Sequence, residues 1–120
     1  MDIQLKRAYE APSEDDGPRF LVDRLWPRGV SKETLHLAGW LKDVAPSNEL
    51  RKWFGHDPER WEEFRKRYRA ELGGLDEAVF QPLREAMRKG RITLVYGARD
   101  EVHNQAVVLR DFLAKAGTPR

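Results

Sequence analysis

The stretch Phe20-Leu21-Val22-Asp23-Arg24-Leu25-Trp26-Pro27-Arg28-Gly29 decides how the rest of the chain is read. Three apolar residues, enough for a short buried strand, run into a cluster of charge, aromatic ring and backbone stiffener. Pro27 forbids helix through Trp26 and pushes that residue extended, while Gly29 permits a sharp turn. The stretch therefore reads as a buried strand whose carboxyl end carries polar chemistry.

A second strand of the same kind lies near the far end. Ile92-Thr93-Leu94-Val95-Tyr96 is rich in β-branched and aromatic residues and follows Gly90. Gly97 to Asp100 forms the turn after it, and Asp100 is expected to cap a last helix with Ala106, Leu109 and Leu113 on its inner face and Gly117 as its stop. Between the two strands the helical signals are plain. Ser31 caps a short turn over 32–35. Ser47 caps a helix with Leu50, Trp53 and Phe54 on one side, closed by Gly55. Asp57-Pro58 starts a longer helix whose stripe is Trp61, Phe64, Tyr68 and Leu72, ended by Gly73-Gly74. Asp76 caps a further helix through Met87, in which Pro82 is expected to introduce a bend. Ile3 and Leu5 alternate with polar residues as in a strand, residues 8–19 read as a loop with one helical turn, and Leu37 to Val44 reads as a short strand ended by Pro46.

Strands separated by helices predict a single α/β domain over residues 1–120. It has a small, mostly parallel sheet of about four strands flanked by helices in three layers, with the strands near 20–24 and 92–96 central. In open sheets of this kind ligands sit beyond the carboxyl ends of the strands. That rule brings Asp23 to Gly29 and Gly97 to Asn104 onto one rim.

Composition narrows the function. The 120 residues are 40% hydrophobic and 35% charged, with 22 Lys and Arg against 20 Asp and Glu, so no global basic field is demanded. The absence of cysteine excludes disulfides, thiolate metal sites and a cysteine nucleophile. No metal or other cofactor is expected, no window approaches a membrane span, and a cytoplasmic location is the default expectation.

The candidate site residues follow from the rim. Arg24, Arg28, Lys42 and Arg99 are the cations suited to a phosphate or carboxylate, since guanidinium groups grip such anions bidentately. Trp26 and Tyr96 would wall the site, and Asn104 adds a polar group. Asp23, Asp100 and His103 are the proton-transfer candidates. The competing view is that Asp23 pairs with its neighbouring arginines and only closes the strand end. The expected partner is a phosphorylated or nucleotide-like small molecule, bound with or without turnover. The alternatives are nucleic acid, suggested by the Arg-Lys-Arg-Tyr-Arg run at 65–69, and a non-enzymatic interaction module.

The stretches L-V-D-R-L-W-P-R-G, W-L-K-D-V-A-P-S, W-F-G-H-D-P and L-V-Y-G-A-R-D-x-x-H-N-Q-A carry a resemblance that covers almost the whole chain. They resemble the YeaO-like branch of the family called domain of unknown function 488. That resemblance implies a small single-domain α/β protein without an assigned activity. The broader family has a strand ending in a D-V-R-S-x-P-like motif, similar to Asp23 to Pro27 here. Many of its members show C-A-E-K-D-P-E-H-C-H-R where this chain has Tyr96 to Ala106, so their two cysteines fall at Tyr96 and Asn104 while His103 stays. Thiol chemistry therefore does not carry over. On the same resemblance, the helix expected between the first two strands is reduced here to the Ser13 to Gly17 turn.

Overall fold

In a computed structural model, whose described residues are 2–116, four parallel strands form one sheet. They are β1 (Ile3–Arg7), β2 (Arg19–Leu21), β3 (Gly39–Trp40) and β4 (Ile92–Tyr96), in the spatial order β1-β4-β2-β3. β4 pairs Leu94 with both Leu5 and Phe20, so the two strands expected at the centre are there. Because all four run the same way, all four carboxyl ends meet one rim.

Among the described residues five α-helices flank the sheet: α1 (Lys32–Leu35), α2 (Asn48–Phe54), α3 (Trp61–Gly73), α4 (Gln81–Lys89) and α5 (Gln105–Ala116). Alternation along the strands divides the interior in two. Phe20, Val22, Ile92, Leu94 and Tyr96 point to one face and meet Leu50, Phe54, Phe64, Tyr68, Leu83, Leu109 and Leu113 from α2 to α5. Leu21 and Val95 point to the other face, where only Leu35 of α1, Ala8 and the half-buried Trp26, Val30, Leu37 and Trp40 cover them. One flanking layer is thus thick and the other thin.

The thin layer also holds a buried ion cluster. Ser13 and Asp16 form a reciprocal capping box around the single 3-10 turn Glu14–Asp16. Asp16 is 1% exposed and accepts from Arg19 Nη1 at 2.7 Å, Lys6 Nζ at 3.0 Å and Gln4 Nε2 at 2.8 Å. Gly17 follows at φ 63°, and a Cβ there would lie 2.0 Å from the Arg91 carbonyl oxygen. That turn is all that links β1 to β2, as the resemblance implied.

Three sequence expectations are corrected locally. Leu37 to Val44 is strand only at Gly39–Trp40 and then a 3-10 turn over Lys42–Val44. The helix expected from Asp76 is a 3-10 turn over Glu77–Phe80 and becomes α only from Gln81, so Pro82 lies in the first turn of α4, where its missing N–H is tolerated. Asp100 does not cap α5. Its Oδ1 accepts from the N–H groups of Val102 and His103, each at 2.9 Å, and the carboxylate is consumed in that turn. Asn104 caps the helix instead, its Oδ1 accepting from Val107 N at 3.2 Å. Gly117, the expected stop of α5, lies outside the described residues.

Candidate functional site: a cleft at the strand carboxyl ends

Beyond the ends of β2 and β4 lies a cleft of about 240 Å³. Its polar lining includes Asp23, Arg24, Arg28, Arg51, Asn104 and Gln105, and its apolar lining includes Pro27, Pro46, Phe54 and Phe64. The two phenyl rings stack at 4.3 Å between centroids and form a firm wall.

Asp23 anchors the floor. Its Oδ2 accepts from Gly97 N at 2.8 Å, and its Oδ1 accepts from the Gln105 side-chain amide. These two bonds tie the end of β2 to the end of β4 and to the start of α5. Gly97 makes the approach possible, since a Cβ there would stand 2.9 Å from Asp23 Oδ2. The Asp23 carbonyl in turn accepts from Trp40 Nε1 at 2.7 Å, joining β3 to the same corner. Among the described residues, no cation bonds to the Asp23 carboxylate. Burial therefore dominates and pushes its carboxyl up to about 6, although the Gly97 and Gln105 donors pull the other way.

Arg24 does not pair with Asp23. It donates through Nε to the Pro46 carbonyl at 3.0 Å and through Nη2 to the Ala45 carbonyl at 3.3 Å. Tyr68 donates its hydroxyl to the Val44 carbonyl, and Glu71 accepts from Ser47 N at 2.9 Å. Residues 44–47 are thus clamped from both sides, which fixes the wall on which the Arg24 guanidinium lies. Arg28 is exposed at the mouth, where its carbonyl accepts from the Tyr9 hydroxyl at 3.1 Å. Arg51 enters from α2, and its Nε is buried with no hydrogen-bond partner among the described residues.

The remaining sequence candidates stand apart from the cleft or on its margin. Asn104 is 1% exposed and lines the cleft while capping α5. Trp26 donates its indole N–H to the Val30 carbonyl at 2.6 Å and packs edge-on against Trp40, so it is mainly a core residue with an edge on the cleft. Tyr96 is buried in the thick layer. Lys42 lies over the Trp40 ring at 4.1 Å, outside the cleft. Arg99 is exposed and does not line it either. Asp100 and His103 bond to each other, Nδ1 to Oδ2 at 2.8 Å, and His103 packs edge-on against Trp61. The Val102 and His103 donors hold the Asp100 carboxyl down at about 2.

Polar cleft residues not singled out from the sequence are Tyr9, Arg51, His56 and Gln105. Arg51 sits beside the apolar face that Leu50, Trp53 and Phe54 give α2. His56 follows Gly55, and both adopt left-handed backbone, with φ 59° and 53°. A non-glycine residue in that region is uncommon, and the Gly55-His56-Asp57-Pro58 run was the available signal. Gln105 had no signal beyond its place next to Asn104.

Fold and cleft together define a small parallel α/β protein with an arginine-lined cleft at its strand carboxyl ends. Residues 2–119 match the family model described as the inactive DUF488-N3 subclade, and the chain belongs to that family. It is 43% identical over 113 residues to the uncharacterized protein YeaO of Escherichia coli, covering 94% of this chain and 97% of that one. Uncharacterized proteins of Mycobacterium tuberculosis and Mycobacterium bovis are each 42% identical over 111 residues, covering 92% of both chains. No solved structure matches. Among the described residues, no helix is long and apolar enough to cross a membrane.

Proposed function

We propose that the chain binds a small phosphate-bearing anion in this cleft and performs no bond-making step there. The observation that carries the proposal is the meeting on one cleft of Arg24 and Arg28, from the loop after β2, with Arg51 of α2, whose Nε is buried and unpartnered among the described residues. A buried guanidinium donor left without an acceptor is costly, and an incoming oxyanion would satisfy it. Gln105 and its cap Asn104 bring the start of α5 to the same cleft, adding the positive end of a twelve-residue helix.

Two features favour binding over turnover. Asp100 and His103 satisfy each other away from the cleft, and both Asp23 oxygens already accept bonds that hold the fold. The description of the family model as an inactive subclade agrees with that. The test is a thermal-shift and calorimetric screen of inorganic phosphate, sugar phosphates and nucleotides. At least one should stabilise the protein, and Arg24→Ala combined with Arg51→Ala should abolish the effect. No stabilisation by any of these anions would overturn the proposal.

Nucleic-acid binding draws less support. In the 65–69 run, Arg65 pairs with Glu62 at 3.2 Å, while Arg67 pairs with Glu63 at 2.8 Å and lies over the Trp53 ring. That face is an exposed mixture of both signs. Steeply salt-dependent retention on DNA or RNA would reverse this judgement.

A further inference from the structure

The arginines and Asp23 make opposite demands on the same occupant. The Asp23 carboxylate accepts one bond at each oxygen, from Gly97 N and from the Gln105 amide, whereas an ionised carboxylate offers about four acceptor positions. Its neighbour Arg24 spends Nε and Nη2 on the carbonyls of Pro46 and Ala45, so it does not neutralise the carboxylate. A fully deprotonated anion without a hydroxyl would satisfy the arginines and leave the remaining acceptor positions of the half-buried Asp23 carboxylate unfilled in the same cleft. An occupant that brings a donor of its own satisfies both.

Size and the apolar lining narrow the class. A cleft of about 240 Å³ lies just below the roughly 300–1,000 Å³ of sites for drug-sized ligands, yet far exceeds the roughly 30 Å³ share of one water. Phe54, Phe64, Pro27 and Pro46 offer apolar surface to the carbon skeleton of whatever bears the anion. The donor is better a hydroxyl than an ammonium group, because three arginines already make the cleft cationic.

We propose that the ligand is a phosphorylated polyol of about sugar size. Its phosphate lies on Arg24, Arg28 and Arg51, and a hydroxyl donates to Asp23. This rests on the anion-site reading above and adds to it the part of the ligand that the arginines do not select.

The test is isothermal titration of the unaltered protein at pH 8, where Asp23 is ionised, with methyl phosphate, ribose 5-phosphate and phosphoethanolamine. Ribose 5-phosphate should bind about tenfold or more tighter than methyl phosphate, the scale of one hydrogen bond to a charged group. In Asp23→Ala that ratio should collapse to about threefold or less, with methyl phosphate still bound. Equal affinities in the unaltered protein would overturn the proposal, as would phosphoethanolamine binding tightest or a ratio that survives Asp23→Ala. The ranking in the unaltered protein decides the matter even where Asp23→Ala fails to fold. Loss of all three ligands would instead strike the anion site itself.

Discussion

Asp16 and Asp23 stand at opposite ends of the same strand, and their surroundings drive their chemistry apart. Burial raises the cost of charge at both. At Asp16 the Ser13 N–H, Lys6, Arg19 and Gln4 outweigh that cost and hold the carboxyl well below the usual carboxylate range. At Asp23 the only donors among the described residues are a backbone N–H and an amide, and the carboxyl rises to about 6. One cluster is closed, with cations seated directly on the carboxylate, and it joins the loop after β1 to three strands. The other is left without a cation although three arginines line the same cleft. A buried carboxylate whose partners complete its charge is part of the scaffold. One whose nearby cations are aimed elsewhere is where we propose that a ligand binds.

The strongest way to break this comparison is to remove the closed cluster. Asp16→Asn leaves Arg19, 3% exposed, as a buried charge without its counter-ion and should cost about 3–5 kcal/mol in chemical denaturation. A loss under about 1 kcal/mol would make the cluster incidental. Next in size is the pH response. Because the folded Asp23 carboxyl lies above its unfolded value of 3.8, its contribution is full below about pH 4 and is lost as pH rises through about 6. Between pH 8 and 5 the protein should therefore gain stability on the order of 1.4 kcal/mol, rising to about 3 kcal/mol at most below pH 4, and Asp23→Asn should flatten that slope. Asp16 acts with the opposite sign: its contribution is present above about pH 4 and falls away in stronger acid. Melting curves across pH separate the two.

Smaller effects sharpen the contrast. Gly97→Ala should push the Asp23 carboxylate off its backbone donor and cost about 1–2 kcal/mol, measured by urea unfolding. It should also weaken phosphate binding. Lys42→Ala, which removes only an exposed stack on Trp40, should change stability by about 0.5 kcal/mol or less and leave anion binding intact.

Much of this frame was legible because local chemistry agreed with the fold. Ser31, Ser47, Asp57 and Asp76 all cap the turns or helices expected of them, and Trp61, Phe64, Tyr68 and Leu72 form a buried stripe. The rim was legible too, because parallel strands must end together. What failed were inferences about side-chain partners, which depend on contacts distant in sequence. Asp23 and Arg24 are adjacent and opposite in charge, yet each bonds elsewhere, to residues 97 and 105 and to residues 45 and 46. Asp16 read only as one of three consecutive acids in a loop, although the spacing of Ser13 and Asp16 is that of a capping box. Arg51 was hidden because helical periodicity says which residues face the core and nothing about which polar residue faces a cleft.

The pairing of β1 with β4 also sets an order for folding. β1's neighbour in the sheet is residues 92–96, so the first of the four strands in the sequence waits for the last of them. β2 can meet β3 earlier, but the centre of the sheet is absent until β4 is available. Folding therefore depends on closing a long loop, which slows it. Until then Ile3, Leu5 and Phe20 have no partner strand on that side. Of all the segments, the one whose arrival assembles the sheet is the one that joins β1 to β2.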